Sequence, residues 1–260
     1  MKQTALRRSA ETMAEQISAV LARPLYGFWL YGSVVLDDFR IGWSDIDCIA
    51  ITEDPITEEQ AKALVTLRQT LSAQHPENPY FRAFEGVIVN RREYTNGVFS
   101  RLVYWGTSGQ RVTDRFCLDP FARYELLHDG VCVCGSGDRS LFRAPAREEL
   151  IAAIRLHLDG IRRCVVETDD SLYSCGWLLD IARCVYTLRF DAVISKTRAG
   201  EWALSERIFP DDEPLKRTLA IRRDPLQYKN DPDAKAWLRS LGPTVQRYAD
   251  VLAHELDRVE

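Results

Sequence analysis

The spacing of apolar residues alternates between helix-like and strand-like segments in the first half of the chain. Apolar positions recur at helical intervals over residues 3–22 and 57–74. The second helix begins with Thr57 and Gln60, whose spacing is that of a capping box. Its buried stripe is predicted to consist of Ala61, Leu64, Leu67 and Leu71. Short runs rich in β-branched and aromatic residues predict strands over 25–33, Asp45–Thr52, Phe84–Val89 and Val131–Cys134.

After Pro145 the pattern becomes almost entirely helical. Helices are predicted over 147–166, 172–190, 213–223 and 232–258, the last interrupted at Gly242-Pro243. Strands followed by a run of helices are typical of an α+β domain joined to a helical bundle. We therefore predict an α+β chain with domains at 1–142 and 143–260.

Composition narrows the classes of function. The 260 residues include 34 basic and 38 acidic side chains, a formal net charge of −4, which argues against a broad nucleic-acid surface and mildly favours cationic small molecules. No apolar run reaches the roughly 18 residues that span a membrane, and the first residues lack a secretion signal. Seven irregularly spaced cysteines are typical of reduced thiols rather than disulfides or a zinc site. We expect a cytoplasmic protein with no membrane partner.

The most informative segment is Gly32-Ser33, followed after eleven residues by Asp45-Ile46-Asp47. Carboxylates two residues apart on a strand share one face, with backbones about 7 Å apart. Two such charges favour a divalent cation, while the glycine and the hydroxyl of the preceding turn suit a phosphate group. This combination predicts a phosphoryl or nucleotidyl transfer site. The alternative is a surface pair of aspartates beside a turn.

Glu85 is a charged residue inside the apolar run Phe84–Val89. Beside Asp45 and Asp47, it could accept a proton from an attacking hydroxyl or complete a metal site. The alternative is a glutamate on an edge strand that faces water.

These segments resemble a known family. The Gly-Ser and Asp-x-Asp spacing is similar to the signature of the DNA polymerase β-like nucleotidyltransferases, and the chain more narrowly resembles the aminoglycoside 3''/9-adenylyltransferases, which confer streptomycin and spectinomycin resistance. The resemblance covers about residues 25–230 and rests on these segments, in the family's order: LYGSVVLDDFRIGWSDIDCIAI, RAFEGVIV, ISKTRAGEWAL and DPLQYKND.

The resemblance implies a mixed sheet with flanking helices, an all-helical second domain and a site in the cleft between them. It implies that Asp45 and Asp47 hold Mg²⁺ on the phosphates of ATP, that Gly32 and Ser33 contact the triphosphate, and that Glu85 is the base and a possible metal ligand. It also implies that Lys196 reaches the phosphates and that Tyr228 packs near the nucleotide. Outside the family, we would interpret these last two as surface and core residues.

The implied substrate is a small antibiotic. We expect the protein to be a monomer that does not bind nucleic acid. Candidate drug contacts are Asp169, Asp170, Asp180 and Trp105, although acidic residues near a helix start are also ordinary capping groups. The loop before Trp177 departs from the family pattern, which leaves the choice of drug open. Three alternatives also stay open. The nucleotide could be GTP instead of ATP, and the acceptor could be a lincosamide or a protein hydroxyl. The protein could also be a non-catalytic partner that binds a nucleotide.

Overall fold

The computed structural model describes residues 4–107 and 109–259, which divide into two compact units. The first unit extends to Phe39 and resumes over Ser44–Ala144. The second unit combines Arg40–Trp43 with the residues from Pro145 onward. A short segment of the first half of the chain therefore belongs to the second unit.

A mixed sheet forms the centre of the first unit. Its strands are β1 (Gly27–Leu30), β2 (Ile46–Thr52), β3 (Phe84–Asn90), β4 (Leu102–Gly106), β5 (Gly109–Thr113) and β6 (Val131–Gly135). Their order is β5-β4-β3-β2-β1-β6; β2 and β3 are parallel, and the other neighbouring pairs are antiparallel. The helices of this unit are α1 (Thr4–Leu21), α2 (Glu58–Gln74), α3 (Arg91–Asn96) and α4 (Pro120–His128).

The two central strands, β2 and β3, explain the near-continuous apolar runs of the sequence, since such strands are covered on both faces. On one face, alternate residues of β2 and β3 pack with α4 in a shared core that includes Ile49, Val87 and Leu126. Towards the other face, the indole N–H of Trp105 on β4 donates to the Leu64 carbonyl of α2 at 2.9 Å. The predicted capping box of α2 is present, and its predicted apolar stripe is buried as expected.

Helices are the regular elements of the second unit among its described residues. Its helices are α5 (Arg147–Cys164), α6 (Tyr173–Phe190), α7 (Lys196–Ser205), α8 (Glu213–Arg223), α9 (Pro225–Tyr228), α10 (Pro232–Arg239) and α11 (Gly242–Asp257). The mixed sheet followed by these helices confirms the predicted α+β class.

Trp43 explains why the segment Arg40–Trp43 joins the helices. Its side chain is 5% exposed, and its carbonyl accepts a hydrogen bond from the Tyr173 hydroxyl of α6 at 3.2 Å. A side chain at Gly176 would begin 3.4 Å from the indole ring, so the helix surface fits closely against it. Burial of a large aromatic ring is worth several kcal/mol.

Two parts of the structure differ from the sequence-based expectation. Strands β4 and β5 were not predicted. The mostly polar residues of β5 show no strand pattern, and the short apolar run of β4 was not interpreted as a strand. The Lys196 segment, for which no helix was predicted, is helix α7, and the Ser195 hydroxyl caps it by accepting from the Arg198 N–H at 3.3 Å. Gly200 does not break this helix; a Cβ there would lie 2.7 Å from Leu179 Cδ2, so the glycine permits close packing.

Among the described residues, no helix is long and apolar enough to cross a membrane.

Candidate active site

A tight turn places Gly32 against the carboxylate of Asp47. Gly32 begins a 3-10 turn just after β1, with φ at +67°. A Cβ on this residue would lie 2.1 Å from Asp47 Oδ2, well inside contact distance. Two independent constraints therefore require glycine at position 32: the left-handed backbone conformation and the close approach of the Asp47 carboxylate.

Ser33 and Asp45 lie next to this pair. The Ser33 hydroxyl donates to the backbone carbonyl of Asp45 at 3.4 Å, and the Tyr31 N–H donates to the carbonyl of Asp47 at 3.1 Å. These contacts fasten the turn after β1 to the residues that open β2. The Gly-Ser and Asp-x-Asp motifs are thus brought together, as their spacing indicated.

Glu85 lies directly opposite Asp47 across the parallel pair of strands β2 and β3. Neighbouring strands are about 4.8 Å apart, and residues in register share a face of the sheet. Both carboxylates are partly exposed at the ends where β2 and β3 begin. The structure therefore groups Glu85 with Asp47, Gly32, Ser33 and Asp45.

The negative charge of this group affects its neighbours. Burial raises the pKa of the Tyr31 hydroxyl and of the Cys48 thiol, and the charge of Asp47 raises both further. The pKa of Tyr104 is raised by burial, and then by the charge of Glu85 and the hydrogen bond to it. A negative potential at the start of β2 and β3 favours a bound cation.

The fit of a metal ion depends on which ligands it needs. Within residues 4–107 and 109–259, no three His, Cys, Asp or Glu side chains are arranged as a ready ligand set. Mg²⁺ usually binds one or two carboxylates together with phosphate oxygens of the substrate. Asp45 and Asp47 supply hard oxygen donors of this kind beside the glycine turn, so they fit the ion. Glu85 as a third ligand stays a prediction.

In the second unit, Lys196 forms an ion pair with Asp180. Lys196 Nζ lies 2.9 Å from one carboxylate oxygen and 3.0 Å from the other, and Arg183 approaches the first oxygen at 3.4 Å. Burial alone would raise the pKa of Asp180, but the charges of Lys196 and Arg183 outweigh it and the net pKa is lowered. The candidate phosphate ligand and a candidate drug contact are thus partners of each other.

The other acidic candidates also have partners within the second unit. Asp169 accepts hydrogen bonds from the Ser171 N–H at 2.9 Å and from the Ser174 hydroxyl at 2.8 Å. Asp170 pairs with Arg239 at 2.7 Å. Tyr228 ends the short helix α9 and is half-buried. Their predicted roles in binding the drug or the nucleotide stay predictions.

Trp105 occupies the core rather than a ligand-facing surface. Its side chain is 1% exposed, and its indole N–H is satisfied by Leu64. Because residues alternate along a strand, Trp105 points to the face of the sheet opposite that of Tyr104. This placement favours a structural role over the predicted drug contact.

Sequence reasoning missed two side chains close to Glu85. The Tyr104 hydroxyl donates to Glu85 Oε1 at 3.3 Å. The half-buried Arg68 donates to the Phe84 and Gly106 carbonyls at 2.5 and 3.3 Å, within range of the Glu85 charge. Arg68 is a charged residue at the helical spacing of the apolar stripe of α2, four residues after Leu64 and three before Leu71, and this is the one signal the sequence offered.

Two comparisons with known proteins gave matches. Residues 140–238 match the family model described as the aminoglycoside adenylyltransferase C-terminal domain. Among solved structures, the chain is similar to spectinomycin adenyltransferase AAD(9) from Enterococcus faecialis, which was solved with ATP and spectinomycin. The TM-score is 0.57 at 14% identity, over 95% of this chain and 99% of that one. No curated protein matches the chain. The structural likeness concerns the fold, and it agrees with the α+β architecture described above.

Proposed function

We propose that the chain transfers AMP from ATP to a hydroxyl of an aminoglycoside-type antibiotic. The match of residues 140–238 to the aminoglycoside adenylyltransferase C-terminal domain supports this reaction. Spectinomycin and streptomycin are the proposed acceptors. Pyrophosphate is the second product.

The observation that carries the proposal is the register of β2 and β3, which sets Glu85 directly opposite Asp47, whose carboxylate lies against Gly32. A glycine-containing turn beside carboxylates is suited to bind a nucleoside triphosphate together with its divalent cation. A further carboxylate on the same face is suited to accept a proton. Together these three features are suited to nucleotidyl transfer.

Asp45 and Asp47 would hold Mg²⁺, which when bound orients the nucleotide phosphates and offsets their charge. Gly32 and Ser33 would line the triphosphate. Glu85 removes the proton from the acceptor hydroxyl as the oxygen forms its bond to the α-phosphorus. The bond from that phosphorus to the bridging oxygen breaks, and pyrophosphate leaves with the electron pair.

The second unit contributes the proposed nucleotide contacts Lys196 and Tyr228 and the proposed drug contacts Asp169, Asp170 and Asp180. Carboxylates suit a polycationic drug because charge-assisted hydrogen bonds are stronger than neutral ones. Each of these acids has an intramolecular partner. Cationic groups of a bound drug would compete with these partners for the carboxylate oxygens.

The direct test incubates the purified full chain with ATP, Mg²⁺ and one acceptor at a time: spectinomycin, streptomycin or a lincosamide. We expect pyrophosphate release and an AMP–drug conjugate by mass spectrometry with spectinomycin or streptomycin. Replacing ATP by GTP measures nucleotide choice, and a chelator should abolish transfer. Conjugation to the lincosamide alone, or to none of the three, would overturn the proposed substrate class.

A matched pair of variants tests the site. Glu85→Gln should lower the transfer rate by roughly 10²–10⁴-fold, the contribution of a general base. Glu53→Gln changes an exposed carboxylate just beyond the other end of β2, paired with Arg91 at 2.6 Å, and should leave the rate unchanged. Equal rates for both variants would remove Glu85 from the mechanism.

A further inference from the structure

The hydroxyl of Tyr104 is the one hydrogen-bond donor that the described residues direct at the Glu85 carboxylate. Tyr104 lies on β4, opposite Val87 of β3 and thus diagonal to Glu85. Diagonal neighbours on antiparallel strands are within reach of a long aromatic side chain. The 3.3 Å contact engages Oε1 of the carboxylate.

A glycine makes this contact possible. By continuation of the β3–β4 register, Gly106 occupies the position opposite Glu85. A Cβ on Gly106 would lie 2.3 Å from Tyr104 Cε1 and 2.7 Å from its hydroxyl oxygen. The phenol ring therefore lies across the space that any other residue at 106 would fill.

Two arginines contact the strands around this pair. The guanidinium of Arg111, which is opposite Tyr104 on β5, stacks on the phenol ring at 4.4 Å from its centre. Arg68 binds the carbonyls of Phe84 and Gly106, the residues that flank the pair in the two strands. The orientation of the ring is thus fixed by a steric fit, a cation–π contact and the backbone.

From this geometry, and resting on the proposed function, we infer that Tyr104 is a positioning residue for the base Glu85. Its hydroxyl fixes the rotation of the carboxylate, so that Oε2 is presented to the acceptor hydroxyl. A carboxylate held by one oxygen loses less freedom when the acceptor binds. Tyr104 touches no reacting atom and acts only through Glu85.

The first test is Tyr104→Phe, which removes the hydroxyl and keeps the ring. We expect kcat for AMP transfer to fall about tenfold, a part of the total effect of a general base. The KM for the drug and the affinity for ATP with Mg²⁺ should stay unchanged. A matched control is Tyr26→Phe, because Tyr26 also donates to a carboxylate, Asp138 at 3.2 Å, under an arginine at 4.4 Å. This control should keep the wild-type kcat.

A double-mutant cycle separates positioning from a general structural role. When Glu85 is already glutamine, adding Tyr104→Phe should lower the residual rate no further, because the residue through which Tyr104 acts has lost its function. An equal tenfold fall in both backgrounds would overturn the inference. So would an unchanged kcat in Tyr104→Phe.

Gly106→Ala provides a second perturbation that retains the phenol. The added methyl group should push the ring away from Glu85 and lower kcat by a similar factor, with KM unchanged. A wild-type kcat in this variant would contradict the inference. Failure of the proposed function looks different: the wild-type chain itself would then transfer no AMP to any acceptor, whereas failure of this inference leaves wild-type transfer intact.

Discussion

Lys196 and Asp180 form a two-point ion pair across helices α6 and α7, with Nζ at 2.9 and 3.0 Å from the two carboxylate oxygens. The Asp180 side chain is 15% exposed, and Arg183 lies at 3.4 Å from it. Two cations thus share one largely buried carboxylate. This arrangement has consequences for stability as well as for ligand binding.

Asp180→Asn should destabilise the protein strongly. The variant leaves two partly buried cations without their counter-charge, and loss of one partner of a buried pair costs about 3 kcal/mol or more. Asp170→Asn is the matched control, because its pair with Arg239 is exposed and is worth less than about 1 kcal/mol. Urea unfolding of both variants measures the difference. Equal losses would show that the burial of Asp180 is unimportant.

Acid should reduce the difference between wild type and Asp180→Asn. The pKa of Asp180 is lowered in the folded state, and its unfolded value is about 3.9. Its stabilising contribution is therefore complete above about pH 4 and is lost as the pH falls through the lower folded-state pKa. Urea unfolding of both proteins at a series of pH values from 7 to 3 tests this. A difference that stays constant with pH would contradict the assignment.

Gly32→Ala should impair both stability and AMP transfer. The methyl group would meet the Asp47 carboxylate at 2.1 Å, in addition to the strain of a φ of +67°. Gly97→Ala is the control for strain alone, because Gly97 has a φ of +68° and nothing lies within 4 Å of its added Cβ. We expect Gly97→Ala to cost about 1 kcal/mol and to keep full activity. Equal rates of AMP transfer in the two variants would show that the placement of the Asp47 carboxylate is unimportant for the reaction.

Trp105→Phe tests the place of Trp105 in the core. The variant loses the hydrogen bond to Leu64 and part of a buried ring, so the free energy of unfolding should fall by about 1–3 kcal/mol. The KM for spectinomycin or streptomycin should not change. A large rise in KM without loss of stability would instead support the drug contact.

The sequence predicted best where one local pattern had one explanation. The capping box of Thr57 and Gln60 and the stripe that follows it are present as expected, because helix caps depend on neighbours in the chain. Glu85 was selected as a candidate because a charge within an apolar strand is unusual, and its role stays a prediction. These features needed no knowledge of distant contacts.

The sequence alone did not specify which residues of β4 face each side of the sheet. Trp105 was the conspicuous residue, yet β4 directs it towards α2 and directs Tyr104 towards Glu85. The register of β4 depends on pairing with β3 and β5, which local composition does not specify. Similarly, no helix was predicted around Gly200, which permits close packing against Leu179 within α7.

The membership of Arg40–Trp43 in the helical unit affects how the protein can be dissected. This segment lies between Ser33 and Asp45 in the chain, so the polypeptide leaves the first unit and returns to it before the carboxylates are reached. A fragment ending at Ala144 would carry Trp43 without the helices that bury it, and a fragment beginning at Pro145 would lack that indole. No single cut therefore yields both units whole, and hybrids made with a relative must exchange the helices together with this short excursion.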